Sequence, residues 1–318
     1  MPFIKEILKY DSLSIVGLEK NVGKTQCLNY ILSRLPLNSG GVCITSIGVD
    51  GEKIDQVTST EKPEIHISEG CLFCTSEKHY RQRELVSELL AISDETTSLG
   101  RILVARAVSP GKVMLSGPAS TPALVRLMNL TKTLGARLNI VDGALSRLSS
   151  ASPAVSQAMI LSTGAAYSAN LATLVAQTAF VVDRINLPLY TEKPDEHCLE
   201  LSSMGAALPA NMKDFTVFSV TGALTDRLLG RIAALPHVED LEIRVKDFTR
   251  IFVTPQAYRS FLARGGRITV AQRSKLIAVT VNPTAPNGFV INSDRLCAEL
   301  SAAIGLPVYD LVKNRYEA

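Results

Sequence analysis

The sequence predicts an α/β fold in which a mainly parallel sheet is flanked by helices. Short apolar runs rich in β-branched residues alternate with segments of helical periodicity, and this alternation is typical of βαβ units. The first such run, residues 13–16, leads through a turn with glycines into an amphipathic helix. The mostly apolar runs at 137–141 and 276–281 are typical of strands buried in a parallel sheet.

The elements of the first half follow from local signals. The helix after the first strand carries its apolar side chains at helical spacing, and Pro36 ends it. A second strand covers residues 41–47. Ser120 or Thr121 caps a further helix, which Gly135 ends before the strand at 137–141.

The second half repeats this unit with strands at 215–220 and 276–281, a helix capped by Ser293, and a last strand at 307–311. Two β-rich insertions are expected near residues 62–116 and 238–270, with a hairpin turn at Pro110-Gly111. The favoured organisation is one α/β domain over 1–318. The alternative is a nucleotide-binding domain at 1–210 and a second α/β domain at 211–318.

Composition argues against several classes of protein. The 318 residues carry 33 Lys and Arg against 30 Asp and Glu, and a net charge of +3 is too small for a nucleic-acid-binding surface. The N-terminus lacks a signal peptide, and six scattered cysteines are typical of a reducing compartment. Residues 148–182 carry no charge, but their many polar groups exclude a membrane span. A cytoplasmic protein is expected.

The strongest functional signal is the segment Gly17–Thr25, GLEKNVGKT, between the first strand and its helix. In a phosphate-binding loop (P-loop), successive backbone amides and the helix N-terminus surround a phosphate. Gly23 permits close backbone approach, Lys24 reaches the β- and γ-phosphates, and the hydroxyl of Thr25 is a ligand for Mg²⁺. Five residues separate the glycines here rather than the usual four, so Leu18 occupies the usual first-glycine position.

Acidic residues at the ends of strands are the expected partners of Mg²⁺. Asp142 follows the strand at 137–141, and Asp50 and Glu52 follow the strand at 41–47. Asp183 is a weaker third candidate. Each Asp before Gly is also compatible with an ordinary turn.

The predicted site has three groups of residues. Catalytic roles are assigned to Lys24, Asp50 and Asp142, and metal ligation to Thr25, Asp50 and Asp142. The residues expected to contact the nucleotide are Glu19, Lys20, Asn21, Val22, Gly23, Lys24, Thr25, Gln26 and Asn282. A guanine-specific Asn-Lys-x-Asp motif is missing, which favours ATP over GTP.

Cys71 and Cys74 form a lone C-x-x-C with His66 and His79 five residues outside it. These four side chains could bind Zn²⁺, but the spacing matches no familiar module. Two further interpretations of Cys71 and Cys74 remain open, a redox pair and two half-buried cysteines at the end of a strand. The second of these is favoured.

The Gly-x5-Gly-Lys-Thr spacing resembles the P-loop of dethiobiotin synthetase and the cobyrinate amidases. In that branch of P-loop NTPases an extra loop lysine often reaches across a dimer. Lys20 lies one position away from it, so a homodimer contact and a solvated loop lysine both stay open. The resemblance also implies that an Asn after a late strand, here Asn282, recognises the base.

Four sequence segments resemble, in the same order along the chain, the P-loop subunit of the lysine 5,6-aminomutase reactivase. They lie at residues 17–25, 45–52, 141–147 and 282–286. This resemblance implies a protein that uses ATP and Mg²⁺ with a MutS-like ATPase subunit. Together they would release damaged cobalamin from the adenosylcobalamin-dependent aminomutase. The alternatives are an ATP-dependent carboxylate-activating enzyme and a nucleotide-binding interaction protein without turnover.

Overall fold

The structure is a computed structural model that describes residues 2–35, 41–48, 65–144, 152–192, 198–202, 209 and 211–313. The α-helices are α1 Pro2–Ile7, α2 Lys24–Leu32, α3 Glu77–Arg81, α4 Thr121–Thr133, α5 Leu171–Ile185, α6 Asp226–Ala233, α7 Pro255–Ala263 and α8 Ser293–Ile304. The strands are β1 Ser12–Gly17, β2 Val42–Ser46, β3 His66–Ile67, β4 Leu72–Ser76, β5 Ser87–Thr97, β6 Gly100–Ala107, β7 Gly111–Lys112, β8 Leu138–Ala144, β9 Ala158–Gly164, β10 Cys198–Leu201, β11 Val217–Val220, β12 Leu224–Thr225, β13 Glu242–Val245, β14 Ile251–Phe252, β15 Arg267–Val270, β16 Lys275–Asn282 and β17 Val308–Asp310.

Two compact units make up the chain. The first combines Met1–Ala179 with Ser274–Ala318, and the second is the continuous segment Phe180–Arg273. The expected insertion at 62–116 lies in the first unit, whereas the one at 238–270 lies in the second. The alternative boundary at 210/211 falls inside the second unit.

The first unit is built on a large, mostly parallel sheet flanked by helices, which confirms the α/β class predicted above. Its nine described strands have the order β17-β16-β9-β1-β8-β2-β4-β6-β5. All pairs from β17 to β4 are parallel, and β6 and β5 add an antiparallel edge. Strand β1 is central and wholly buried, so its carboxyl end opens at the middle of one sheet edge.

Local sequence signals explain most helix boundaries. The Ser120 side chain accepts a hydrogen bond from the Ala123 amide and begins α4, and Gly135 follows that helix with a φ of 99°. Helix α8 begins at Ser293, one residue earlier than expected, because the sequence predicted Ser293 as the cap. Asn292, rather than Ser293, accepts the capping hydrogen bond from the Arg295 amide, because Ser293 bonds instead to Asp310.

The prediction of a hairpin turn at Pro110-Gly111 is wrong. The reversal lies between β5 and β6, where Thr97 pairs with Gly100. Gly100 has a φ of 97°, which favours glycine there. Strand β7, after Pro110, pairs with β3 rather than with β6, so the Pro-Gly step leads to a new partner strand instead of a tight turn.

The second unit contains a four-stranded, fully parallel sheet in the order β10-β11-β13-β15. Segment 238–270 is expected above as a β-rich insertion, yet α7 lies within it between β13 and β15, which pair in parallel. Tyr258 and Phe261 on α7 are buried in the apolar core of this unit. The segment is therefore a further βαβ unit.

The uncharged stretch 148–182 forms β9 and most of α5 where the structure describes it. None of the helices in the described part of the chain combines the length and the apolar character that crossing a bilayer requires.

Candidate functional site

The turn after β1 is compact and has two left-handed backbone positions. Asn21 has a φ of 60°, and Gly23, which directly precedes α2, has a φ of 91°. Directly after β1, the Leu18 amide donates a hydrogen bond of 2.9 Å to the Ser162 carbonyl on β9. At the other end, the Cys27 amide bonds the Gly23 carbonyl and closes the first turn of α2.

Gly17 and Lys24 depend on each other. A Cβ built on Gly17 would lie 2.8 Å from both Cγ and Cδ of Lys24, so the lysine stem passes directly over this glycine. Real Cβ atoms essentially never come so close to a neighbour. The first glycine therefore makes room for a lysine that folds back across the turn, although it stands one position earlier than in the common motif.

Lys24 points to the strand beside β1. Its Nζ lies 3.9 Å from Oδ1 of Asp142, and both side chains are partly buried. Asp142 belongs to β8 and is in register with Ile15 on β1 and Ser46 on β2. The structure thus brings together the lysine and the carboxylate that the sequence assigned to one site.

The remaining loop residues surround this pair. Thr25 and Gln26 are half-buried in the first turn of α2, and Val22 is buried beneath the turn. Glu19 and Lys20 are exposed, and the Glu19 carboxylate accepts a hydrogen bond from the Lys20 amide at 2.8 Å. This turn amide therefore has an acidic partner from its own loop.

Asn282 fixes the turn from the end of β16. Its side-chain amide donates to the Asn21 carbonyl at 2.9 Å, and its Oδ1 accepts from the Thr284 amide at 3.1 Å. Its Cβ also lies 3.3 Å from a Cβ built on Gly23. Asn282 therefore contacts the backbone of the turn Gly17–Thr25 directly, and base recognition by this side chain stays a prediction.

The other acidic residues proposed as metal ligands do not lie beside Lys24 and Asp142 in the described part of the structure. Asp50 and Glu52 lie outside the described residues. The chain leading to them is held at Gly48, whose amide donates to the Pro118 carbonyl and whose carbonyl accepts from the Gly117 amide, both at 3.0 Å. The sequence placed Asp183 at the end of a strand. In the structure it lies in helix α5 instead.

Cys71 and Cys74 do not form a metal site with His66 and His79. Side chains alternate along a strand, so residues three apart point to opposite faces of the sheet. Cys71 accordingly packs in one apolar cluster and Cys74 in another, both fully buried. Burial raises the pKa of Cys71 to about 12, which keeps it a neutral thiol. A structural role for the two cysteines was the favoured interpretation. Its details are wrong, because both are fully buried and Cys74 lies in the middle of β4.

The same face of the sheet places Cys74 beside Cys43 of β2, with their sulfurs 3.7 Å apart. Among the described residues, the only potential cation cluster of three or more His, Cys, Asp or Glu side chains is His237, Glu239 and Asp240. All three are exposed, and such groups are common without an ion.

The sequence did not predict a buried series of hydrogen-bonded side chains at the end of β4. His79 Nδ1 lies 2.6 Å from the Ser116 hydroxyl, which donates to the Ser76 hydroxyl at 3.3 Å. Burial lowers the pKa of His79, so the imidazole is neutral near pH 7. Ser76 was recognisable as a helix cap, but nothing local links His79 to a serine 37 positions away.

Comparison of the chain with protein-family models, with curated proteins and with solved structures finds no match.

Proposed function

We propose that this chain binds ATP and Mg²⁺ at the turn Gly17–Thr25 and hydrolyses the nucleotide there. The observation that carries the proposal is the fold of Lys24 back over Gly17, with its ammonium group beside Asp142. A lysine and a carboxylate held at the carboxyl edge of a parallel sheet, next to a helix N-terminus, supply the groups that phosphoryl transfer needs.

The roles follow from charge and position. The amides of the turn and the N-terminus of α2 bind phosphate oxygens, and Lys24 neutralises the terminal phosphates. Thr25, Asp142 and Asp50 supply the hard oxygen ligands that Mg²⁺ prefers. Bound Mg²⁺ would spread the negative charge that develops on the transferred phosphoryl group. A carboxylate oxygen of Asp142 or Asp50 that does not contact the cation would orient the attacking water.

Glu19 opposes nucleotide binding in this scheme. Its carboxylate must leave the Lys20 amide before a phosphate oxygen can occupy the same position. Both residues are exposed, so this exchange requires only rotation of a surface side chain.

The physiological role that we propose rests on the order of the sequence motifs alone. The chain would act as a subunit of a reactivating factor for the adenosylcobalamin-dependent lysine 5,6-aminomutase, together with a MutS-like ATPase subunit. A nucleotide-dependent change of the loops after β2 and β8 would then couple hydrolysis to the partner proteins.

The decisive variant is Lys24→Ala. We expect a loss of ATP affinity of 100-fold or more, about 3 kcal/mol, because a lysine in direct contact with the terminal phosphates is removed. Isothermal titration calorimetry with Mg²⁺ and ATP measures this change. Stability should alter little, because Lys24 is not part of the apolar core.

Lys275→Ala provides the matched control, since Lys275 is an exposed lysine at the amino end of β16. It should bind ATP like the wild type. Equal ATP affinity in the wild type and in Lys24→Ala would remove the site assignment.

A further inference from the structure

A short, rigid hairpin leaves the carboxyl end of β16 immediately after Asn282. Thr284 and Val290 form an antiparallel bridge. Within the hairpin the Ala285 amide bonds the Phe289 carbonyl at 2.8 Å, and the Ile291 amide bonds the Pro283 carbonyl at 2.9 Å. These bonds, together with two prolines and a turn at Gly288, fix the backbone before any ligand arrives.

The hairpin is anchored by apolar residues and displays others. Ala285 and Ile291 are buried, whereas Phe289, opposite Ala285, and Val290, opposite Thr284, are 45% and 60% exposed. An ordered hairpin that holds a phenyl ring in solvent loses the stabilisation that burial of that ring would give. A ligand that covers the ring would recover this free energy.

The root of the hairpin touches the phosphate loop. Asn282 donates to the Asn21 carbonyl at 2.9 Å, so the turn and the hairpin are joined by one side chain. In the sheet, β16 is separated from β1 by β9 alone. Two strand spacings correspond to about 10 Å, a separation that a nucleotide's sugar and base can span.

The direction of a bound nucleotide follows from the lysine. Lys24 lies toward Asp142 on β8, the strand beside β1. The terminal phosphates and the cation therefore belong on the β8 side of β1. The nucleoside end must point to the opposite side, where β9 and β16 end and the hairpin begins.

We infer that Phe289 is a stacking platform for the base of the bound nucleoside triphosphate. This inference rests on the proposed function and adds a contact that the phosphate loop does not supply. Stacking on a phenyl ring is tolerant of base identity, because every base has a π-face. Phe289 therefore strengthens binding of ATP and GTP alike and contributes nothing to binding of the phosphate chain.

The test compares ATP, GTP and inorganic tripolyphosphate as ligands of the full chain, each with Mg²⁺, by calorimetry. Phe289→Ala should weaken ATP and GTP binding about 5- to 100-fold and leave the tripolyphosphate affinity unchanged. Phe289→Trp should retain or improve both nucleotide affinities. The control is Phe252→Ala, because Phe252 on β14 is 53% exposed and lies in the second unit.

Two outcomes overturn the inference while leaving the ATP site intact. Phe289→Ala could bind ATP like the wild type, or it could lose affinity for ATP and tripolyphosphate to the same extent. A wild-type chain that binds neither ligand, or a Lys24→Ala variant that binds both normally, instead contradicts the proposed function itself. Matching thermal unfolding curves for all variants confirm that the fold is unchanged.

Discussion

Lys24 and Gly17 illustrate how two residues seven positions apart determine one local geometry. The Gly-Lys-Thr triplet and the strand–turn–helix order made the loop recognisable from sequence. The function of Gly17 was not recognisable, because it stands outside the usual spacing. The side chains of Lys24 and Val22, which both pass over its α-carbon, explain why a glycine occurs there.

The His79 contact leads to a prediction at the same scale. Burial lowers the pKa of His79 in the folded chain below its ordinary value near 6.5. Between the two values the unfolded chain binds more protons, so the free energy of unfolding should fall as the pH drops below about 6.5. For one group this slope is at most about 1.4 kcal/mol per pH unit.

Urea unfolding of the wild type and of His79→Asn between pH 7.5 and 5.0 measures this contribution. The variant should show a shallower dependence on pH than the wild type, because it lacks the buried imidazole. An unchanged slope in His79→Asn would show that other groups cause the acid sensitivity.

At the scale of the element, local signals predicted the strands β1, β2, β8 and β16 and the helices α2 and α4. These strands carry runs of mostly apolar residues, and the two helices carry apolar residues at helical spacing. The missed features depend on distant partners instead. Strand β7 pairs with β3, more than 40 residues earlier in the chain, and its two residues carry no pattern that identifies this pairing.

Helix α6 provides the prediction for this scale. Gly230 lies in its exposed middle, and a Cβ built there meets no atom within 4 Å. Gly230→Ala should therefore stabilise the second unit by about 0.5–1 kcal/mol, because alanine loses less backbone entropy in a helix. Chemical denaturation followed by circular dichroism measures the change.

Gly117→Ala is the contrasting variant. Its Cβ would lie 1.7 Å from the Ser46 carbonyl oxygen, so the segment that holds Gly48 must shift. This variant should be destabilised. A Gly230→Ala chain no more stable than the wild type would contradict the assignment of that position as an unhindered helical site.

At the scale of the whole molecule, the near balance of charges argues against a nucleic-acid-binding surface. The candidate site draws on β1, β8 and β16, which lie far apart in the chain. In the sheet β8 is the neighbour of β1, and β9 alone separates β16 from β1. Sequence order alone could not give these adjacencies. The division at residues 180 and 273 was equally hidden, because both flanks have ordinary composition.

The proposed partners define a prediction for the intact chain. ATP turnover should be slow for the chain alone and should rise several-fold with the MutS-like subunit and the cobalamin-loaded aminomutase. A coupled phosphate-release assay measures this rate, and Lys24→Ala in the same mixture corrects for turnover by the partner ATPase.

The alternatives give different results in that assay. Stimulation by a small carboxylate would favour a carboxylate-activating enzyme. Tight ATP binding with no turnover under any condition would favour a nucleotide-binding interaction protein.

The pairing of β9 with β16 has a consequence for synthesis. The second unit separates these neighbouring strands, so a nascent chain displays the Gly17–Thr25 turn on the ribosome long before residue 282 emerges. Until then the turn lacks the amide that fastens the Asn21 carbonyl. Competence to capture a nucleotide should therefore arise late, as one of the last events in the maturation of the polypeptide.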